Sequence, residues 1–349
     1  MTNDHPHPPT YSGDSIMNNS VKTDAIGFNK HSLNLDAAKE TERIVEQLRQ
    51  SVHQTLRRRG AVLGISGGID SSVVLGLCAK AFGAEHIVAL LLPEGESSPE
   101  SATLAQLVAD HYGVQTITED ISGVLDGFSC YRRRNDAIKR LFPEFGEGWQ
   151  AKIALPGNLL EKEMLNIFSL TVTNPEGEEF TKRLPPREYY QIVAASNFKQ
   201  RSRMAMLYYH AELNNYAVIG TANKNEHLLG FFVKYGDGGI DVSPIAHLFK
   251  TQVYQLARYL DVPEDIQQRT PTSDTYPGGS SQEEFFFRLP FDILDTIWFG
   301  YEQGVKNDEI AQVLDLTVEQ VERVVADIVR KQRTTSYLRM PVISMGKVD

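Results

Sequence analysis

The sequence predicts an α/β protein: a doubly wound parallel sheet with flanking helices, Rossmann-like, followed by a helical C-terminal extension. Three observations carry that prediction. Residues 61–77 (AVLGISGGIDSSVVLGL) read as strand, glycine turn and helix, from the apolar run Ala61, Val62, Leu63 and Ile65 through Ser66, Gly67 and Gly68 to helix-period Val73, Val74 and Leu77. Residues 86–93 (HIVALLLP) form a nearly continuous apolar run, suited to a strand covered on both faces. Strands and helices then alternate as far as Ile121, the order of a doubly wound sheet whose ligands lie beyond the carboxyl ends of its strands.

Taken in order, residues 1–32 are rich in His, Pro, Asn, Ser and Asp and read as a disordered tail. Residues 36–59 place Ile44, Val45, Leu48, Val52 and Leu56 on one helical stripe, which Gly60 ends. After the 61–77 unit and the 86–93 strand, residues 101–111 are helical and 115–121 a further strand. Residues 122–188 are an elaborated insert around the substrate mouth. Its basic run 131–140 reads as a solvated helix face, and 170–184 as a hairpin about Asn174-Pro175-Glu176-Gly177. Residues 194–212 are helical, with Arg201 and Arg203 two apart and so on different faces; at most one looks into a site. Residues 216–220 make a strand leading straight into a second helix start, with Glu226 one turn in.

Four glycines within residues 230–241 rule out a stable helix and predict a loop wrapping a ligand. Lys250 stands just inside the next helix, and Thr272 is a hydroxyl donor in the 271–277 loop. From residue 285 to 338 the pattern is helical. Residues 307–315 and 317–330 resemble a helix-turn-helix with a Thr317/Gln320 capping box, but Glu319, Glu322 and Asp327 on the second helix suit packing better than phosphate backbones. The division expected is a tail (1–32), a catalytic domain (33–284, with 122–188 inserted) and a helical part of that same domain (285–349).

Composition narrows the function. With 349 residues, 41% hydrophobic and 23% charged, the chain has ordinary globular composition, and its net charge of −10 opposes a broad nucleic-acid surface. Cys78 and Cys130 have no metal-ligand spacing and read as buried thiols of a cytoplasmic protein. No apolar run reaches a membrane span, so no membrane partner is expected.

The chemistry centres on SGGIDSS. Two glycines let backbone approach a ligand, and the helix N-terminus with the Ser66, Ser71 and Ser72 hydroxyls makes an anion cradle for phosphate. Asp70 inside that cradle would repel phosphate unless a hard cation lay between, which implies Mg²⁺. Adjacent strand ends would bring Glu226 to the same sheet edge as a second oxygen ligand.

SGGIDSS resembles the signature of the ATP-pyrophosphatases, the adenine nucleotide alpha hydrolase type of fold, in which the loop holds the leaving pyrophosphate. Six ordered motifs extend the likeness over residues 36–341: GISGGIDS (64–71), NFKQRSRM (197–204), GTANKNE (220–226), KYGDGGID (234–241), LFKTQV (248–253) and PTSD (271–274). Together they are similar to ammonia-dependent NAD synthetases. The resemblance implies a C–N ligase that amidates nicotinic acid adenine dinucleotide (deamido-NAD) through an acyl adenylate, using ATP and free ammonia and releasing AMP and pyrophosphate. It implies that the loop from Gly64 through Ile65, Ser66, Gly67, Gly68, Ile69 and Asp70 to Ser71 binds ATP with Thr221, Lys250 and Thr272, and that Asp70 and Glu226 hold magnesium. Asp70 and Lys250 would be catalytic. Arg201, Lys234 and Asp241 would contact the dinucleotide near a homodimer boundary. Ser336-Tyr337 stands where the family commonly carries a His-Lys pair meeting the dinucleotide, with Lys331, Arg333 and Arg339 as nearby compensating charges. The other readings are an ATP-dependent amide ligase of the same fold acting on another carboxylate, and a helix-turn-helix regulator.

Overall fold

A computed structural model describes residues 27–155, 157–161, 167–271 and 281–346. Helix α1 (Ala37–Arg49) opens on Asp36, whose carboxylate accepts from the Lys39 amide at 3.1 Å, and buries Ile44, Val45 and Leu48. It passes into a π-helical turn (Gln50–Thr55) and stops before residue 59, because Arg57, Arg58 and Arg59 have no apolar stripe to bury; Arg57 takes a positive φ of 55°. Strand β1 (Ala61–Gly64), helix α2 (Ile69–Phe82), β2 (Ile87–Leu91), α3 (Pro99–His111) and β3 (Thr116–Thr118) follow as the sequence predicts, each strand shorter at its ends than the apolar run that encodes it.

The 122–188 stretch is more regular than expected. It holds α4 (Ser122–Gly127), α5 (Cys130–Lys139) and an antiparallel sheet of β4 (Gln150–Ala154), β5 (Ser169–Thr173) and β6 (Glu179–Arg183), of which β5 and β6 are the expected hairpin. Most of the basic run is the expected solvated face, with Arg132, Arg133, Lys139 and Arg140 exposed, but Arg134 is buried. Arg134 is 4% exposed and grips Glu96 with both guanidinium nitrogens at 2.6 Å, while Lys199, 1% exposed, reaches Glu94 at 3.0 Å and Glu96 at 2.7 Å. Charges so deeply buried stand only because each is paired.

Helix α6 (Pro186–Asn214) leads to β7 (Ala217–Val218), α7 (Lys224–Leu229), α8 (Lys250–Tyr259) and α9 (Glu264–Gln268). The C-terminal part is α10 (Phe291–Glu302), α11 (Asn307–Leu314), α12 (Val318–Thr334) and α13 (Ser336–Arg339). Val321, Val324 and Ile328 of α12 are buried in an apolar cluster with α10 and α11, and Asp327 is buried against Arg288 and Lys331. The supposed recognition helix is therefore a packing element. The end of the expected tail also departs from disorder: Phe28 packs on this cluster and Leu33 is buried in it, whereas residues 1–26 lie outside the described residues.

The main sheet is parallel in the order β3-β2-β1-β7, with Ala61 opposite Ile87 on one side and Ala217 on the other. Alternation along β1 decides what covers each face: Ala61 and Leu63 pack with α1, α2, α3 and α8, and Val62 with Met204, Leu207 and Ala211 of α6. From β1 the chain proceeds outward through β2 to β3 and returns to β1's other side as β7. The switch point, where a crevice must open, is thus the carboxyl end of β1 beside β7. Cys78 and Cys130 are buried thiols, and among the described residues no helix is long and apolar enough to cross a membrane.

Candidate active site

The two strand-to-helix turns meet at that switch point. In the first, Gly67 has φ +70°, and a Cβ there would lie 2.7 Å from Leu104 Cβ and from the Ser101 carbonyl; only glycine lets the loop press against α3. Gly68 caps α2. The hydroxyls act differently from expectation. Ser71 and Ser72 donate to the Gly68 carbonyl at 3.0 and 2.8 Å, and Ser66 Oγ accepts from the Gly68 amide at 3.3 Å. They brace the turn; Ser72 is fully buried, and only Ser66 and Ser71 reach the cavity. In the second turn, Asn223 and Glu226 form a capping box, with the Asn223 side chain accepting from the Glu226 amide at 3.1 Å and Glu226 Oε2 from the Asn223 amide at 3.2 Å.

A polar knot joins them. Asp70 Oδ1 accepts from Asn223 Nδ2 at 2.9 Å, and Lys250 Nζ ion-pairs with Asp70 Oδ2. Lys250 is fully buried; burial works against its charge, but Asp70 and Glu226 outweigh it and hold the ammonium above the ordinary lysine range. Burial and the Asp70 charge push the Glu226 carboxyl upward. Asp295 of α10 ties the knot from beneath: it accepts from Asn225 Nδ2 and, at 2.9 Å, from both the amide and hydroxyl of Thr251, while Asn225 Oδ1 accepts from the Lys250 amide at 3.0 Å. A hard divalent cation fits these residues. Two carboxylates that repel each other share one edge with Gln282, whose Nε2 donates to Glu226 and whose buried Oε1 has no partner among the described residues.

This knot floors a cavity of about 440 Å³. Gly64, Ile65, Ser66, Gly68, Ile69, Asp70 and Ser71 line it, as do Thr221, Glu226 and Lys250; Gly67 faces α3 instead. Thr272 lies outside the described residues. Arg201, Lys234 and Asp241 are not in the lining. Arg201 is exposed and donates to the Lys234 carbonyl at 3.3 Å, and Asp241 accepts from the Val218 amide and the Tyr208 hydroxyl at 2.8 and 2.9 Å. Lys234 donates to the carbonyls of Tyr337 and Met340 at 3.0 and 3.1 Å, which puts the Ser336-Tyr337 departure beside it. Of the nearby cations, Lys331 is committed to Asp327 and the Phe286 carbonyl, Arg339 to the His227 and Gln332 carbonyls, and Arg333 is exposed.

Sequence reasoning missed several lining residues. Of the two arginines, Arg203 is the one facing inward, donating to the Leu92 carbonyl at 3.2 Å. Arg269 holds Ser101 Oγ at 2.9 Å. Asp237 lines the cavity, and burial pushes its carboxyl up to about 6 against the opposing Val233 amide and Arg203 charge. Asn223 had a local signal in its Asn-x-x-Glu spacing; Asp295 and Gln282 had none.

Known proteins agree with this architecture. The family described as NAD synthase matches residues 40–141 and 161–337. The chain is 48% identical to the NH(3)-dependent NAD(+) synthetase of Rhizobium meliloti over 93% of its length and 96% of that protein's, and 49% identical to that of Mesorhizobium japonicum over 90% and 98%. Its fold superposes with TM-score 0.57 on the NH3-dependent NAD synthetase from Campylobacter jejuni in complex with the nitrate ion, at 25% identity over 89% of this chain and 100% of that one. The loops read as a phosphate site are therefore those of a defined lineage, and the chain belongs to the NAD synthase family.

Proposed function

We propose that this chain is an ammonia-dependent NAD⁺ synthetase, converting deamido-NAD, ATP and ammonia to NAD⁺, AMP and pyrophosphate. The observation that carries the reading is the convergence of Asp70, Glu226 and Lys250 at the switch point, on the floor of a cavity whose rim is the SGGIDSS turn. A carboxylate resists attack because of its charge and resonance, so it must first be activated. Its oxygen attacks the α-phosphorus of ATP, the bond to the β-phosphate oxygen breaks, and pyrophosphate leaves. Lys250 and the amides at the start of α2 offset the charge that grows on the leaving group. Asp70 and Glu226 are the residues that would hold a magnesium ion, which when bound would screen the phosphate charges. Ammonia then adds to the acyl carbon of the adenylate, the nitrogen loses a proton and AMP leaves; Asp237, which lines the cavity, is the residue to which this reading gives the proton. Exclusion of water from the cavity would protect the adenylate.

The test is pyrophosphate release on mixing ATP with deamido-NAD and ammonium, compared with other carboxylic acids. Stimulation by the dinucleotide is expected, and an enzyme indifferent to it would remove this reading in favour of another amide ligase. Asp70→Asn is expected to lower turnover at least about 100-fold with the fold intact by circular dichroism, and to lower the melting temperature because buried Lys250 loses its ion-pair partner. Near-normal turnover would overturn the role given to Asp70.

A further inference from the structure

The main sheet has a second end. Residues 57–59, 86 and 216 stand just before β1, β2 and β7, at the amino ends of the parallel strands and so on the side away from the switch point. They share an open cleft of about 620 Å³ whose lining includes Arg57, Arg58, Arg59, His53 and His86, completed by an asparagine and a tyrosine, with no carboxylate. The chain as a whole carries 45 acidic and 35 basic side chains, so this concentration of positive charge is local. Consecutive side chains normally diverge, by about 100° on a helix and to opposite faces on a strand. Here Arg57 takes a positive φ of 55°, an uncommon state for a residue with a long side chain, and the reversal sets three neighbours around one cleft.

We propose that this cleft is a second anion site, separate from the SGGIDSS turn and fitted to a compact ligand with a diphosphate group. The turn that forms it is fixed before any ligand arrives. The Arg58 amide donates to the Val52 carbonyl at 2.8 Å, His53 Nδ1 to the Arg58 carbonyl at 2.9 Å and the Arg59 amide to the Asn215 carbonyl at 2.9 Å, while Asn215 Oδ1 accepts from Arg58 Nη1 at 2.6 Å. Among the described residues no carboxylate pairs with any of the three guanidinium groups, and those of Arg57 and Arg59 donate to nothing. Their mutual repulsion is left for a bound anion to relieve. A guanidinium fork takes two phosphate oxygens side by side, so three forks call for more terminal oxygens than a single phosphate group carries. Compactness follows from the net charge of −10: a long nucleic acid would run from the cleft onto a surface that is acidic on balance, whereas a diphosphate ends within it. Inorganic pyrophosphate, ADP and NAD⁺ all carry that group.

The probe is inorganic pyrophosphate, titrated calorimetrically into the full chain, with hydrogen exchange to locate it because the SGGIDSS turn is another place for it to bind. Slower exchange is expected at residues 52–59 and 214–217, and Arg57→Gln/Arg59→Gln should weaken that event at least about 10-fold. Both side chains are exposed, so the substitution leaves the fold intact. Arg132→Gln/Arg133→Gln removes the same charge from exposed positions of α5 outside the cleft and should bind as wild type does. Inorganic phosphate should bind at least about 10-fold more weakly than pyrophosphate. ADP and NAD⁺, compared at the same cleft, show whether the diphosphate is held best free, on a nucleotide or within a dinucleotide. Protection confined to residues 64–71, equal losses in the two double variants, phosphate bound as tightly as pyrophosphate, or a DNA oligonucleotide preferred over all three diphosphates would overturn the proposal.

Discussion

Glu40 shows how a single side chain can report on packing far from the chemistry. It sits on α1, accepts from Arg43 and meets His247 Nε2 at 2.6 Å, so it ties the first helix to the loop before Lys250. Burial alone would raise its carboxyl; the bonds from His247 and Arg43 win and hold it at about 2, below the ordinary 4.5. A depressed acid contributes stability that is present above its unfolded value and is lost as pH falls through the folded one. Glu40→Gln should therefore lower the melting temperature at pH 6 to 7, and the gap to wild type should close as pH falls from 4.5 toward 2. The pair is partly exposed, so the difference at neutral pH should stay under about 1 kcal/mol. Thermal melts of both proteins across that range check the sign. A gap that widened on acidification would refute the assignment.

Among elements, α10 has the unexpected role. It belongs to the C-terminal helices, yet its buried Asp295 receives hydrogen bonds from Asn225 at the start of α7 and from Thr251 at the start of α8. Those two helix starts carry Glu226 and Lys250. Burial pushes the Asp295 carboxyl up to about 6 despite these bonds, so it is held at some cost to stability in order to fix two helix ends. Asp295→Ala strands the Asn225 amide and the Thr251 N–H, each costing about 1–3 kcal/mol when buried without a partner. Urea denaturation should show a loss of at least about 2 kcal/mol, by the same reckoning, and turnover should fall although no substrate-facing atom has changed. Unaltered stability would mean that water replaces the carboxylate and that α10 does not hold the site.

For the whole molecule, the exposed position of Arg201, Lys234 and Asp241 has a physical consequence. Arg201 donates to the Lys234 carbonyl and the Tyr208 hydroxyl to Asp241, which ties α6 to the 230–241 loop, and large side chains of the same two segments are exposed, Tyr235 at 61%, Tyr209 at 56% and Leu213 at 66%. Large apolar side chains beside charged groups that miss their own cavity are what a surface shared by two copies would carry. A homodimer completing the dinucleotide site is the expected state. Sedimentation at micromolar concentration should give twice the chain mass of 39.1 kDa, and Leu213→Glu should shift the protein toward monomer while raising KM for the dinucleotide. A wild-type monomer with full activity would leave those three residues without a ligand role.

Local physics made the central units readable from the chain alone. A strand of small apolar residues, two glycines and a helix-period run are consecutive, so 61–77 declares its own form, and the Asn223/Glu226 and Thr317/Gln320 caps span only three residues. The need for a positive charge beside Asp70 was legible too, since a carboxylate in a phosphate turn repels its ligand; that the charge in the structure is the Lys250 ammonium, 180 positions away, was not. Arg134 alone of its mostly exposed basic run misled, because its partner Glu96 lies 38 positions away. Which of Arg201 and Arg203 faces inward, that Asp295 braces the two site helices, and that β4 lends Ile153 to the cavity were likewise decided by folding. Buried polar groups are satisfied by partners far along the chain, and a linear pattern carries no term for such distances; only the packed molecule chooses among them.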